Sequence, residues 1–189
     1  GGGGAGGRAG CDVGFYLGAT AGNGAEAGSL AGQAVGLKSY LDATYGPLRL
    51  YDPSAPGQSL ASLIAHFQTW PAERPIAVHA EGPSAAMAIG LARCYGRRLH
   101  VCHVSLAAEL SLIRAAKAAG MAITCEVAPH HLFLGEADAQ RLGPYGAMRP
   151  PLATEADVAA LWANLEAVDC LATDHAPHTR AEKEGPTPP

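Results

Sequence analysis

The feature that most constrains this chain is a repetition. Short apolar runs alternate with stretches of helical periodicity, and run after run ends in a residue that can bind a metal or move a proton. Lys38 closes AVGLK, His79 closes PIAVH, Cys102 and His103 close LHVCH, Glu126 closes AITCE, and Asp174 closes VDCLATD. Any one of these fits a polar turn after a buried strand. Their recurrence is hard to obtain from packing alone. Runs that are apolar throughout suit strands buried on both faces of a parallel sheet. The pattern predicts strands over 12–18, 34–41, 76–81, 98–105, 121–127 and 168–174.

Helical signals fill the intervals. Leu60, Leu63, Ile64 and Phe67 fall at i, i+3, i+4 and i+7, an amphipathic stripe. Further helices are expected over 83–95 and over 106–119, the latter stopped by Gly120, with a short one over 135–142. Thr154 and Asp157 form a capping pair ahead of the stripe Val158, Leu161, Trp162 and Leu165. The segment 19–32 reads as a loop that could hold a weak helix, the APHHLFL stretch and the Pro/Gly segment GPYGAMRPPL read as loops, and the tail from 180 is polar and Pro-rich.

Strand and helix in alternation call for a parallel sheet with helices outside. No glycine-rich phosphate loop follows the first run, so a doubly wound nucleotide fold is poorly supported. A (β/α)8 barrel gathers its reactive groups at the C-terminal ends of different strands, which is where they stand here. Such a barrel typically needs about 250 residues, and this chain has 189. The expectation is therefore an α/β chain, a truncated (β/α)8 TIM-type barrel lacking its first two strands and last helix. Residues 1–10, GGGGAGGRAG, are expected to be flexible, and 11–189 to form the partial barrel.

Composition excludes several classes. With 48% hydrophobic residues the chain is not disordered, and a net charge of −4 gives no footing for nucleic acid or an anionic membrane. No apolar run approaches the roughly 18 residues of a membrane span. The glycine-rich start has neither an initiator methionine nor a secretory leader, which suggests a piece of a longer chain. Five cysteines without a CxxC pair read as reduced thiols, and Cys102, Cys125 and Cys170 are expected to be buried.

His79 and His103 on different strand ends are good zinc ligands, and Asp174 could serve as a further ligand and as a proton acceptor. An ammonium does not bind a metal, but a lysine carboxylated by carbon dioxide becomes an anionic carbamate that can bridge two. That would explain Lys38 near the centre of a barrel. Two metals sharing a hydroxide would supply a nucleophile at neutral pH. His66, His100, His130 and His131 read as structural.

The segments GLKSYL, VHAE, CHVS, TCEVAPHHLFL and ATDHAPHT together resemble the dihydroorotases, over roughly residues 11–186. CEVAPHHLFL and TDHAPHT set this branch apart from hydantoinases and allantoinases. The nearest branch is the one built into animal-type multifunctional pyrimidine-synthesis proteins. The resemblance implies a cytoplasmic zinc amidohydrolase that interconverts N-carbamoyl-L-aspartate and L-dihydroorotate. It implies Lys38 as the carboxylated bridging lysine and His79 and His103 as ligands of one zinc. Asp174 becomes the zinc-binding general base and acid, and Arg149 and His178 the groups that hold the substrate. A third zinc of that branch would use Cys102 and Glu126. Implied partners are the small-molecule substrate, further copies of the chain, aspartate carbamoyltransferase and carbamoyl-phosphate synthetase. Arg149 suits the role on chemical grounds, because its planar fork matches a carboxylate.

One departure stands out. The family's opening strand carries a His-x-His pair, and none occurs in this sequence. That agrees with the strand count and leads to the expectation that these residues alone are inactive. Two other readings stay open: a hydrolase of another cyclic amide such as hydantoin, and a barrel that has lost catalysis and serves assembly.

Overall fold

The computed structural model describes residues 10–44 and 48–186. Of the glycine-rich segment 1–10, residues 1–9 lie outside the described residues. Six strands run in chain order: β1 (Tyr16–Gly18), β2 (Gly36–Tyr40), β3 (Ile76–His79), β4 (Leu99–Val101), β5 (Ile123–Val127) and β6 (Cys170–Leu171). Each pairs in parallel with the next, giving the sheet order β1-β2-β3-β4-β5-β6. A doubly wound sheet reverses its order at a switch point. This sheet never does, so it winds in one direction as the strands of a TIM barrel do.

The connecting helices are α1 (Ala27–Leu30), α2 (Pro56–Thr69), α3 (Pro83–Tyr95), α4 (Ala107–Ala118), α5 (Pro129–Phe133), α6 (Glu136–Leu142), α7 (Glu155–Ala163) and α8 (Arg180–Lys183). Local chemistry explains their limits. Pro56 and Pro83 open α2 and α3, where the missing N–H costs nothing. Gly96 ends α3 in the left-handed conformation, and Gly120 follows α4 at φ +73°. Thr154 and Asp157 form the expected capping box of α7.

The structure refines several expectations. The strands are shorter than the apolar runs, although flanking residues such as Val35, Cys102 and Val104 still donate to Phe15, Val78 and Glu126 on the neighbouring segments. APHHLFL contains a helical turn, α5, opened by Pro129. The polar tail begins with α8, capped by Thr179 and Glu182. Of the α2 stripe, Leu63 and Phe67 are fully buried, whereas Leu60 is exposed.

Alternation along the strands sorts the side chains. Leu37, Ile76, Val78, Leu99, Val101, Ile123, Cys125 and Val127 take one face and join the core shared with the helices. The other parity carries Lys38, Tyr40, His79, His100, Glu126 and Cys170. The reactive residues therefore share the inner face of the curved sheet. Among the described strands, β1 and β6 are the open edges. Exposed apolar side chains cluster there, with Val13, Phe15 and Tyr16 at one edge and Leu171 at the other. The same edge position leaves Cys170 exposed, against its expected burial, while Cys102 and Cys125 are buried and all five cysteines are free.

Candidate active site

A cavity of about 510 Å³ opens at the C-terminal ends of the strands. Lys38, His79, His103, Arg149, Asp174 and His178 all line it. Six side chains from five widely spaced segments thus face one space. The barrel geometry accounts for this, since each strand delivers its end to the same rim.

Lys38 lies inside β2, and its Nζ donates to Cys102 Sγ at 2.8 Å. Burial pushes the Cys102 thiol up to about 11, and the nearby lysine offsets that only in part. His79 is the last residue of β3. Its Nδ1 and Nε2 of His103 approach to 3.0 Å, and its Nε2 faces Glu81 Oε1 at 3.1 Å. A carboxylate on the far nitrogen is the arrangement that orients a metal-binding imidazole. His103 is buried, and its Nδ1 has no hydrogen-bond partner among the described residues. Burial, assisted by Lys38 and His79, pulls its imidazole well below 6.5, so it stands neutral. A neutral imidazole with a buried, unpartnered nitrogen is a ligand in waiting.

Two non-glycine residues adopt positive φ, His103 at 36° and Asp174 at 46°. Each costs on the order of 1 kcal/mol. Both belong to the cavity, which ties the backbone strain to the site.

The loops that carry these groups are held by carboxylates, of which Glu109 is buried and Asp42 half-buried. Glu109 accepts from the N–H groups of Gly82 at 2.7 Å, Ser105 at 3.2 Å and Leu106 at 3.1 Å. It thereby locks the loops after β3 and β4 to each other. Burial raises its carboxyl against those three donors. Asp42 accepts from the Glu81 N–H at 2.8 Å. On the opposite wall, Lys183 donates to the Ala147 carbonyl at 2.7 Å, and Tyr145 bonds Glu184, so α8 supports the segment bearing Arg149.

The residues assigned to a third zinc do not come together in that way. The group of three donors that the described residues do form is His100, Glu126 and Cys170, and Cys102 is outside it. Cys102 is engaged by Lys38, and Glu126 by His100 at 3.0 Å. Asp174 lines the cavity without joining the His79–His103 pair within 4.8 Å.

Sequence reasoning missed Glu81, Glu109, Tyr40 and Lys183. Glu81 stands in the VHAE segment, two residues from a ligand-type histidine, which was a usable signal. Glu109 carries none, because its partners come from two other loops. His130, read as structural, lines the cavity. His66 is structural, bonded to the Ser62 carbonyl and Asn23 Oδ1, both at 2.8 Å.

No family model matches the chain. Direct comparison with characterised proteins does find relatives. The chain is 44% identical over 180 residues to the multifunctional protein CAD of Squalus acanthias, covering 95% of this chain and 8% of that protein. It is 50% identical over 107 residues to the dihydroorotase of Lactiplantibacillus plantarum, covering 56% of this chain and 25% of the enzyme. The chain belongs to the dihydroorotase-like branch of the amidohydrolases. Among solved structures, this dihydroorotase-like chain matches the L-hydantoinase of Arthrobacter aurescens with a TM-score of 0.77 at 27% identity, covering 91% of this chain and 45% of that one. It also matches the inactive dihydroorotase-like domain of a CAD-like multifunctional protein from Chaetomium thermophilum, with a TM-score of 0.73 at 27% identity, covering 90% and 46%. The dihydroorotase-like chain thus spans under half of the structures it matches and under a tenth of the multifunctional relative.

Proposed function

We propose that this chain carries part of the active centre of a zinc-dependent dihydroorotase that interconverts N-carbamoyl-L-aspartate and L-dihydroorotate. The observation that supports it most is the convergence of Lys38, His79, His103, Arg149, Asp174 and His178 on one cavity. Relatives named as a multifunctional protein and as a dihydroorotase agree with it.

His79 and His103 fit zinc, because their nitrogens converge and His103 keeps an unpartnered buried nitrogen. Lys38, carboxylated at Nζ, and Asp174 complete the proposed donor set. Two zinc ions, when bound, would supply a nucleophile from water at neutral pH and polarise the ring carbonyl. Cys102 and Glu126 do not fit a third ion as arranged here, so no role is derived for one.

The chain's own residues do the rest. Asp174 accepts the proton of the attacking water and returns it to the departing ring nitrogen. Arg149 holds the substrate carboxylate through its two-pronged guanidinium, with His178 beside it in the cavity. Glu81 fixes the His79 ring, and Glu109 fixes the loops that carry both histidines. By analogy with the multifunctional relative, carbamoyl-phosphate synthetase and aspartate carbamoyltransferase are the proposed neighbours in the complete protein, and the cytoplasm the proposed compartment.

A non-catalytic assembly role is the second reading, favoured by the match to an inactive dihydroorotase-like domain. Retention of Lys38, His79, His103 and Asp174 weighs against it. A substrate panel on the complete protein tests the proposal. Dihydroorotate should be hydrolysed far faster than hydantoin, and Arg149→Lys should raise KM by about tenfold through loss of the bidentate contact. Turnover of hydantoin in preference to dihydroorotate, or of neither, would reject it.

A further inference from the structure

The inner face of the sheet holds a second cluster that the reaction above does not use. His100, Glu126 and Cys170 sit on the adjacent strands β4, β5 and β6, and one ligand-type atom from each lies within 4.8 Å of the others. Glu126 and Cys170 are direct register partners, and His100 is the partner of Thr124. His100 Nε2 faces Glu126 Oε2 at 3.0 Å, and its Nδ1 meets Thr124 Oγ1 at 2.8 Å. Both His100 and Glu126 are largely shielded, at 14% and 17% side-chain exposure. The sheet register alone therefore brings an imidazole, a carboxylate and a thiol to one point.

We infer that His100, Glu126 and Cys170 form a transition-metal site distinct from the centre at Lys38, His79 and His103, with zinc as its natural ion. Nitrogen, oxygen and sulfur donors of this mixture select zinc or cobalt over calcium or magnesium, which take oxygen ligands. Three protein ligands leave a fourth tetrahedral position open. Thr124 supplies the outer contact that such a site needs. Its hydroxyl can donate to Nδ1 while Nε2–H bonds Glu126, or can turn to accept from Nδ1–H and free the Nε2 lone pair for an ion. The site places the thiolate on Cys170, the register partner of Glu126, and Cys102 lies outside the group.

This inference does not rest on the dihydroorotase reading. Because the other centre also binds metal, a metal count alone would not separate the two, and the readout must be the sulfur. The complete protein, freed of metal, would be titrated with Co²⁺ and its near-ultraviolet thiolate-to-cobalt charge-transfer band recorded. The band should vanish in Cys170→Ser and persist in Cys102→Ser. His100→Gln should bind one cobalt fewer per chain with an unchanged far-ultraviolet circular dichroism spectrum. Persistence of the band in Cys170→Ser, its loss in Cys102→Ser, or an unchanged cobalt count in His100→Gln would overturn the inference and leave an ordinary half-buried His–Glu pair.

Discussion

At the scale of single residues, burial lowers the proton affinity of His66, His103, His130 and His131. His131 is almost fully buried, its Nε2 faces the Pro150 carbonyl at 3.2 Å, and its Nδ1 has no partner among the described residues. Burial, with the adjacent His130, pulls its imidazole down from 6.5 to about 4. His66 and His130 shift the same way, again by burial. An unfolded histidine takes up its proton near 6.5, while the folded His131 resists until about pH 4. Acid therefore favours the unfolded chain. The stability these residues contribute is fully present above pH 6.5 and declines between 6.5 and 4. From His131 alone the slope is at most about 1.4 kcal/mol per pH unit. Urea midpoints measured at pH 7 and pH 5 should show the fall, and His131→Gln should flatten it. An equal pH dependence in that variant would remove His131 as a cause. The site residues Lys38, His79, His103 and Asp174 were legible in the sequence because a polar residue ending an apolar run is conspicuous. The positive φ of His103 and Asp174 was not, since only glycine advertises that conformation.

At the scale of elements, limits follow local chemistry where capping decides them. The Thr154 hydroxyl accepts from the Asp157 N–H at 3.2 Å, and Asp157 also accepts from the Ala107 N–H at 2.9 Å. The α7 cap thus also holds the start of α4. Thr154→Ala should destabilise the protein by about 1 kcal/mol, read as a lower urea midpoint at unchanged m-value. A neutral result would show that Asp157 alone sustains the cap. Such local signals explain why α3, α4 and α6 fall within a residue of their expected limits. The α5 turn was hidden because Pro129 is equally at home in a loop. The grouping of His100, Glu126 and Cys170 was hidden for a different reason: it arises from register across three strands, which no local pattern encodes.

At the scale of the whole molecule, one architectural fact does most of the explaining. Six parallel strands follow one another without reversal, so their C-terminal ends share a rim and their inner faces share an interior. The alternation of apolar runs and helical stripes made the six parallel strands legible in the sequence, while the edge positions of β1 and β6 explain the exposed Tyr16, Cys170 and Leu171. Among the described residues no helix is long and apolar enough to cross a membrane. The cavity at the rim is proposed as a zinc centre in which Asp174 moves the proton. The most direct test is zinc content by elemental analysis alongside dihydroorotate hydrolysis, in the complete protein and in Asp174→Asn. The account predicts about two or more zinc ions per chain in the parent protein and a loss of activity of at least about 10²-fold in the variant. A parent protein without bound zinc, or a variant that keeps its turnover, would contradict it.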